Sequence, residues 1–88
     1  MHLVIDGLKL IDKSSAHTTL RTHLDIDLYQ ADNLDSLFEA LLSVDYPLGI
    51  MLVNTDKMLA NLGDYGEKLL KVFTAAHEVN EHIDFNYI

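Results

Sequence analysis

Seven acidic residues and no Lys or Arg lie between Arg21 and Lys57: Asp25, Asp27, Asp32, Asp35, Glu39, Asp45 and Asp56. Two of them, Asp35 and Glu39, stand four residues apart within Leu34-Asp-Ser-Leu-Phe-Glu-Ala-Leu-Leu42. On a helix that spacing puts both carboxylates on one face, where like charges repel and cost stability. Asp35 recovers part of the cost because it sits in the first turn, at the positive end of the helix dipole. Glu39 is too far along to do so. A sequence selected for stability alone would put Lys or Arg at one of the two places. Aligned carboxylates can take charge-assisted hydrogen bonds from Arg and Lys, so this face could dock a strongly basic partner. It could also be a solvated face on an acidic protein, and composition does not choose between the two.

Other chemistries find no footing. Acid–base catalysis by Asp35 and Glu39 would need a base beside them to complete the set, and none is near in sequence. The histidines are His2, His17, His23, His77 and His82. No two are spaced i, i+4, the arrangement that brings two imidazoles to one zinc ion on a helix. Gly7, Gly49, Gly63 and Gly66 form no phosphate-cradling loop, and Ser14, Ser15, Ser36 and Ser43 lack a nucleophile-elbow context. No enzyme activity, cofactor or metal is expected.

The elements that position the acids are legible from periodicity. The chain has 88 residues, enough for one domain with a small core, and 49% of them are hydrophobic. There is no Cys to form a disulfide or thiolate metal site. A net charge of −8 disfavours direct contact with nucleic acid or anionic lipid and favours basic proteins. No signal peptide is visible and the longest apolar run, Leu48–Val53, is too short to span a bilayer, so a cytoplasmic protein is expected.

His2–Ile5 reads as a strand closed by an Asp6-Gly7 turn. Ser14 or Ser15 would cap a helix over Ala16–Leu24. A loop, Asp25–Leu28, would tuck Ile26 and Leu28 inward. Asp32 would cap the acidic helix, with Leu34, Leu37, Phe38 and Leu41 as its apolar stripe. Phe38 and Leu42 border the acidic face as possible apolar anchors. Leu48–Val53 has the pattern of a strand buried on both faces. Asp56 would cap a short helix ending at Gly63, and an Asp64/Glu67 capping box would open the longest helix, Tyr65–Asn80. Its inner stripe is Leu69, Val72, Phe73 and Ala76. His82–Ile88 alternates, with Ile83, Phe85 and Tyr87 facing inward. Strands joined by helical crossovers are parallel, and right-handed crossovers in one direction put all helices on one side. The expected fold is a two-layer α/β domain over residues 1–88, a three-stranded parallel sheet in order 1-2-3 with helices packed on one face.

The stretch Tyr29-Gln-Ala-Asp-Asn-Leu-Asp-Ser-Leu-Phe-Glu39 resembles the signature of the barstar family, intracellular inhibitors of secreted ribonucleases of the barnase type. Asp45-Tyr46-Pro47-Leu48 and Val72-Phe73-Thr-Ala75-Ala76 extend the resemblance along the full chain. It implies the same fold, and a Tyr46–Pro47 bond in the cis form. It also implies that the second helix and its flanking loops meet the enzyme. By position the contacts would be Tyr29, Ala31, Asn33, Leu34, Asp35, Phe38, Glu39, Leu42 and Val44. Glu39 would enter the place of the RNA phosphate.

The sequence departs from the family pattern at four places. Glu39 is one methylene longer than the usual Asp, and Ala31 stands where Gly is common. The Ser43-Val44-Asp45 loop is a residue shorter and lacks a Trp. Ala75 replaces a peripheral acid. The centre of the surface is kept and its rim altered, which implies a cognate partner other than the best-known ribonuclease of this type. The expected function is an immunity-type inhibitor that occludes the active site of a basic secreted or toxin ribonuclease. The alternative is a non-inhibitory acidic module that docks another basic protein.

Overall fold

The computed structural model describes residues 1–88. Three strands, β1 (His2–Asp6), β2 (Leu48–Val53) and β3 (Ile83–Tyr87), form a parallel sheet in the order β1-β2-β3. Each crossover carries helices: α1 (Lys13–Leu24) and α2 (Leu34–Leu42) between the first two strands, α3 (Thr55–Leu62) and α4 (Asp64–Val79) between the last two. All four pack on one face, as the constant hand of the crossovers requires.

Register builds the core. Ile5 pairs with Leu52, and Ile50 lies between Leu3 and Phe85. The core face of β2, formed by Leu48, Ile50 and Leu52, meets Leu20 and Leu24 of α1, Leu37 and Leu41 of α2, and Leu69 and Phe73 of α4 in one buried cluster. The Phe73 and Phe85 rings stack at 5.0 Å, joining α4 to β3. The opposite sheet face is open. Val4 is 62% exposed, Asp84 and Asn86 are exposed, and Met51 is half-buried. β2 is therefore buried on one face only, against expectation. Its apolar run persists on the open side because a central strand is shielded by its neighbours: the His2 imidazole covers the place where a Cβ on Gly49 would sit.

The helices begin elsewhere than expected, each for a local reason. α1 starts at Lys13 because Asp12 caps it: the Asp12 carboxylate accepts from the Ser15 N–H at 2.8 Å, and Ser15 Oγ accepts from the Asp12 N–H at 3.0 Å. Ser15 is thus the return half of a capping box. α2 is capped by Asn33, whose Oδ1 accepts from the Ser36 N–H at 2.7 Å, while Asp32 turns to Arg21. Asn54, in the left-handed region at φ 54°, precedes α3, so Asp56 lies inside the first turn. Gly63, at φ 59°, ends α3 and leads straight into α4, where Asp64 is the first residue and supplies no capping hydrogen bond. A left-handed junction of this kind is open to glycine at little cost. Gly7 is fixed by close approach, since a Cβ there would lie 2.4 Å from the Asn54 carbonyl oxygen.

Two further expectations fail. The Tyr46–Pro47 bond is trans, the form ordinarily favoured at X–Pro by about 0.5–1 kcal/mol. Ile26 is half-buried as expected, but Leu28 is 61% exposed. The Tyr29 N–H closes a tight turn onto the Ile26 carbonyl at 2.9 Å, and this sends the Tyr29 ring inward in place of Leu28.

Candidate functional site

α2 is amphipathic in the ordinary way. Leu37, Ala40 and Leu41 are buried, and Leu34 and Phe38 are half-buried along its margin. The remaining face carries Asp35, Glu39 and Leu42, all exposed. The chain's one salt bridge joins Arg21 to Asp32. Asp35 and Glu39 therefore present carboxylates that form no ion pair within the protein, on a face flanked by apolar side chains. Beside Asp35 a cleft of about 260 Å³ opens between α2 and α4, lined by Leu34, Phe38, Val72 and Ala75 with Lys71 at its edge.

Both ends of this helix are fastened. At the N-terminal end Ser36 Oγ accepts from the Gln30 and Ala31 N–H groups, each at 3.3 Å, and donates to the Leu28 carbonyl at 3.4 Å. The incoming loop is thereby folded onto the first turn. At the other end Asn80 reaches across from the end of α4. Its Nδ2 donates to the Leu41 carbonyl at 3.0 Å and the Val44 carbonyl at 2.9 Å, filling acceptors that a helix end leaves open.

A third support lies beneath the loop. His17 of α1 has no exposed surface, and its ring stands between two tyrosines. Nδ1 hydrogen-bonds the Tyr29 hydroxyl, and Nε2 the Tyr65 hydroxyl at 2.5 Å. Burial pushes the His17 pKa down; the Asp32 carboxylate opposes this, and the Arg21 and Lys13 charges add to it. Burial also raises both tyrosine pKa values. One turn along α1, the Arg21 guanidinium lies 5.6 Å from the Tyr29 ring centroid and pairs with Asp32.

The nine residues assigned by resemblance do not form one exposed set. Ala31, Asn33, Asp35, Glu39 and Leu42 are exposed, Leu34 and Phe38 half-buried. Tyr29 and Val44 are buried at 2% and 5% exposure, so their side chains hold the surface up from below. The Asn33 side chain is already engaged as the N-cap. Sequence reasoning missed Ser36, Asn80, His17, Arg21 and the exposed Leu28. The first had a readable signal, a Ser three residues after Asn in capping register. The Asn80 contact has none, because its carbonyl partners lie 39 and 36 residues away. No group of three His, Asp or Glu side chains is arranged to hold a metal ion, and no helix is long and apolar enough to cross a membrane.

The sequence has counterparts among known proteins. A family model described as Barstar (barnase inhibitor) matches residues 1–88. A Bacillus subtilis (strain 168) protein named "Putative ribonuclease inhibitor YrdF" is 34% identical over 77 residues, which cover 86% of this chain and 85% of that protein.

Proposed function

We propose a mode of action for this chain from one premise: it belongs to the barstar family of ribonuclease inhibitors. At that level it is an inhibitor and not an enzyme. In our reading α2 and the loop before it plug the active site of a basic secreted or toxin ribonuclease, with Glu39 at the centre and Asp35 beside it. The chemistry is substitution. A ribonuclease gathers Arg, Lys and His around the phosphate it cleaves, and a carboxylate can accept bidentate hydrogen bonds from the same donors. The observation that carries the reading is that Asp35 and Glu39 are exposed on one face without an ion-pair partner in the protein. Phe38, Leu34 and Leu42 would supply the apolar rim, with Ala31 and Asn33 at the loop edge. Tyr29 and Val44 would act from beneath. In a host cell this inhibitor would meet its enzyme in the cytoplasm, before secretion or after entry.

The test is inhibition of RNA hydrolysis by barnase-type ribonucleases, including those of the source organism, titrated with this protein. Activity should end at one equivalent, and a nucleoside monophosphate held in the active site should compete with the inhibitor. Full hydrolysis with excess inhibitor bound, or inhibition indifferent to the nucleotide, would refute an active-site plug. Capture of a basic protein without ribonuclease activity would favour the docking-module alternative.

A further inference from the structure

The loop that enters α2 is fastened to α1 by two side chains one turn apart. His17 takes the hydroxyl of Tyr29, and Arg21 covers the ring of the same Tyr29 while pairing with Asp32. Tyr29 opens the loop and Asp32 lies next to the Asn33 cap, so both ends of a short segment are held. Ser36 closes the middle through the Gln30 and Ala31 amides.

The hydrogen count at His17 fixes its state. A neutral imidazole has one N–H and one lone pair, so one tyrosine donates to it and the other accepts. Tyr29 is buried, and its hydroxyl hydrogen has no partner other than Nδ1. Tyr65 is half-exposed, and its hydrogen can point to water. Only the tautomer protonated at Nε2 satisfies every group: Tyr29 donates to Nδ1, and Nε2–H donates to Tyr65. A proton added at Nδ1 would face the Tyr29 oxygen as a second donor and strand the Tyr29 hydrogen. The charged groups around the ring are Asp32 in the loop, which favours that proton, and Arg21 and Lys13 on α1, which oppose it. From α4 it faces the neutral Tyr65.

We propose that His17 and Arg21 are positioning residues for the docking loop, fixing the Tyr29 ring and the Asp32 carboxylate so that Tyr29–Asn33 is preorganised before a partner arrives. The proposal rests on the reading that this loop docks a ribonuclease. Holding a loop in its bound form raises affinity by lowering the ordering cost of association. Acidification should undo part of it. Burial keeps His17 neutral in the folded protein at pH values where an exposed His takes up a proton, so the clamp should hold through that range and weaken only in stronger acid, when the ring itself is protonated.

Two exposed-side variants test this without touching the buried ring. Arg21→Gln and Asp32→Asn break the same ion pair and shift the net charge in opposite directions. If the pair positions the loop, hydrogen exchange at the Gln30 and Ala31 amides of the free protein should quicken in both, and both should bind the ribonuclease about twofold to fivefold more weakly, as loss of a modest surface pair predicts. If the pair only contributes field, the two variants should move the association rate in opposite directions with no change in exchange, and the proposal falls. It falls equally if exchange quickens and affinity is unchanged. Histidine ¹⁵N shifts supply an independent readout: protonation at Nε2 is expected, and a His17 protonated at Nδ1 would overturn the hydrogen count. Should the parent protein bind no basic ribonuclease, the inhibitor reading fails on its own, and exchange in the free variants still decides whether the clamp exists.

Discussion

The acids of the β1–α1 segment and those of α2 are the same residue types put to opposite use. Asp6 accepts hydrogen bonds from the Leu8 N–H at 3.0 Å and from Asn54 Nδ2 at 2.9 Å. Asp12 caps α1. Those hydrogen bonds hold both carboxyls below their ordinary pKa, led at Asp6 by Asn54 and at Asp12 by the Ser15 N–H. Asp32 has Arg21. Asp35 and Glu39 have no ion-pair partner, although α2 packs closely against α4. Acidic charge by itself therefore says little. What marks α2 is that two unpartnered acids share one exposed helix face beside a half-buried apolar margin of Leu34 and Phe38.

The largest expected effect is at Glu39. Glu39→Ala should weaken binding by ~2–5 kcal/mol, because it leaves cationic groups of the enzyme buried and unpaired. That range derives partly from the barnase–barstar complex, whose inhibitor is of the same family. Calorimetry on the complex and urea unfolding of the free protein check the two halves of the claim. Stability should stay level or rise slightly as the like-charge contact is relieved. A loss above about 1 kcal/mol would make Glu39 structural and erase the contrast with Asp12.

Asn80→Ala should cost about 1–3 kcal/mol of stability, since it leaves the Val44 carbonyl without its donor and takes one of the donors from the Leu41 carbonyl. Asp12→Ala should cost about 0.5–2 kcal/mol, the usual value of an N-cap, with affinity for the ribonuclease unchanged. The parent should also lose stability in acid in two stages. Between an exposed His pKa of about 6.5 and the lower folded value of His17, the unfolded chain binds the extra proton, so stability falls as pH falls. Asp6 and Asp12 follow in stronger acid, their stabilisation present above the unfolded carboxyl pKa and lost as pH drops through the lowered folded values. An unfolding midpoint flat from pH 7 to 5 would contradict a neutral, buried His17. The smallest effect is at the rim: Asp27→Asn should slow association at low salt, leave dissociation nearly unchanged, and lose its effect as screening shortens to roughly 8–10 Å.

Strand order, the parallel sheet, and the inner faces of α2 and α4 were legible because periodicity reports which side of an element is buried. Helix starts were less so. A run such as Asp12-Lys-Ser-Ser15 or Asp32-Asn33 offers several cap candidates, and the choice at Asp32 was settled by Arg21, eleven residues away. The acidic face could be read directly from Asp35 and Glu39. Its supports could not, because His17–Tyr65 and Asn80–Leu41 join residues that only the folded topology brings together. Tyr29 shows the same limit: position within a motif suggested a contact surface, and the turn at Ile26 buried the side chain.

The most direct test is a map of the interface. Amide shifts of the labelled protein recorded during titration with an active basic ribonuclease should change from Tyr29 through Val44, with Asp35 and Glu39 at the centre, while Val4, Met51 and Asp84 on the open sheet face stay in place. Shifts confined to that open face, with α2 unmoved, would contradict the account.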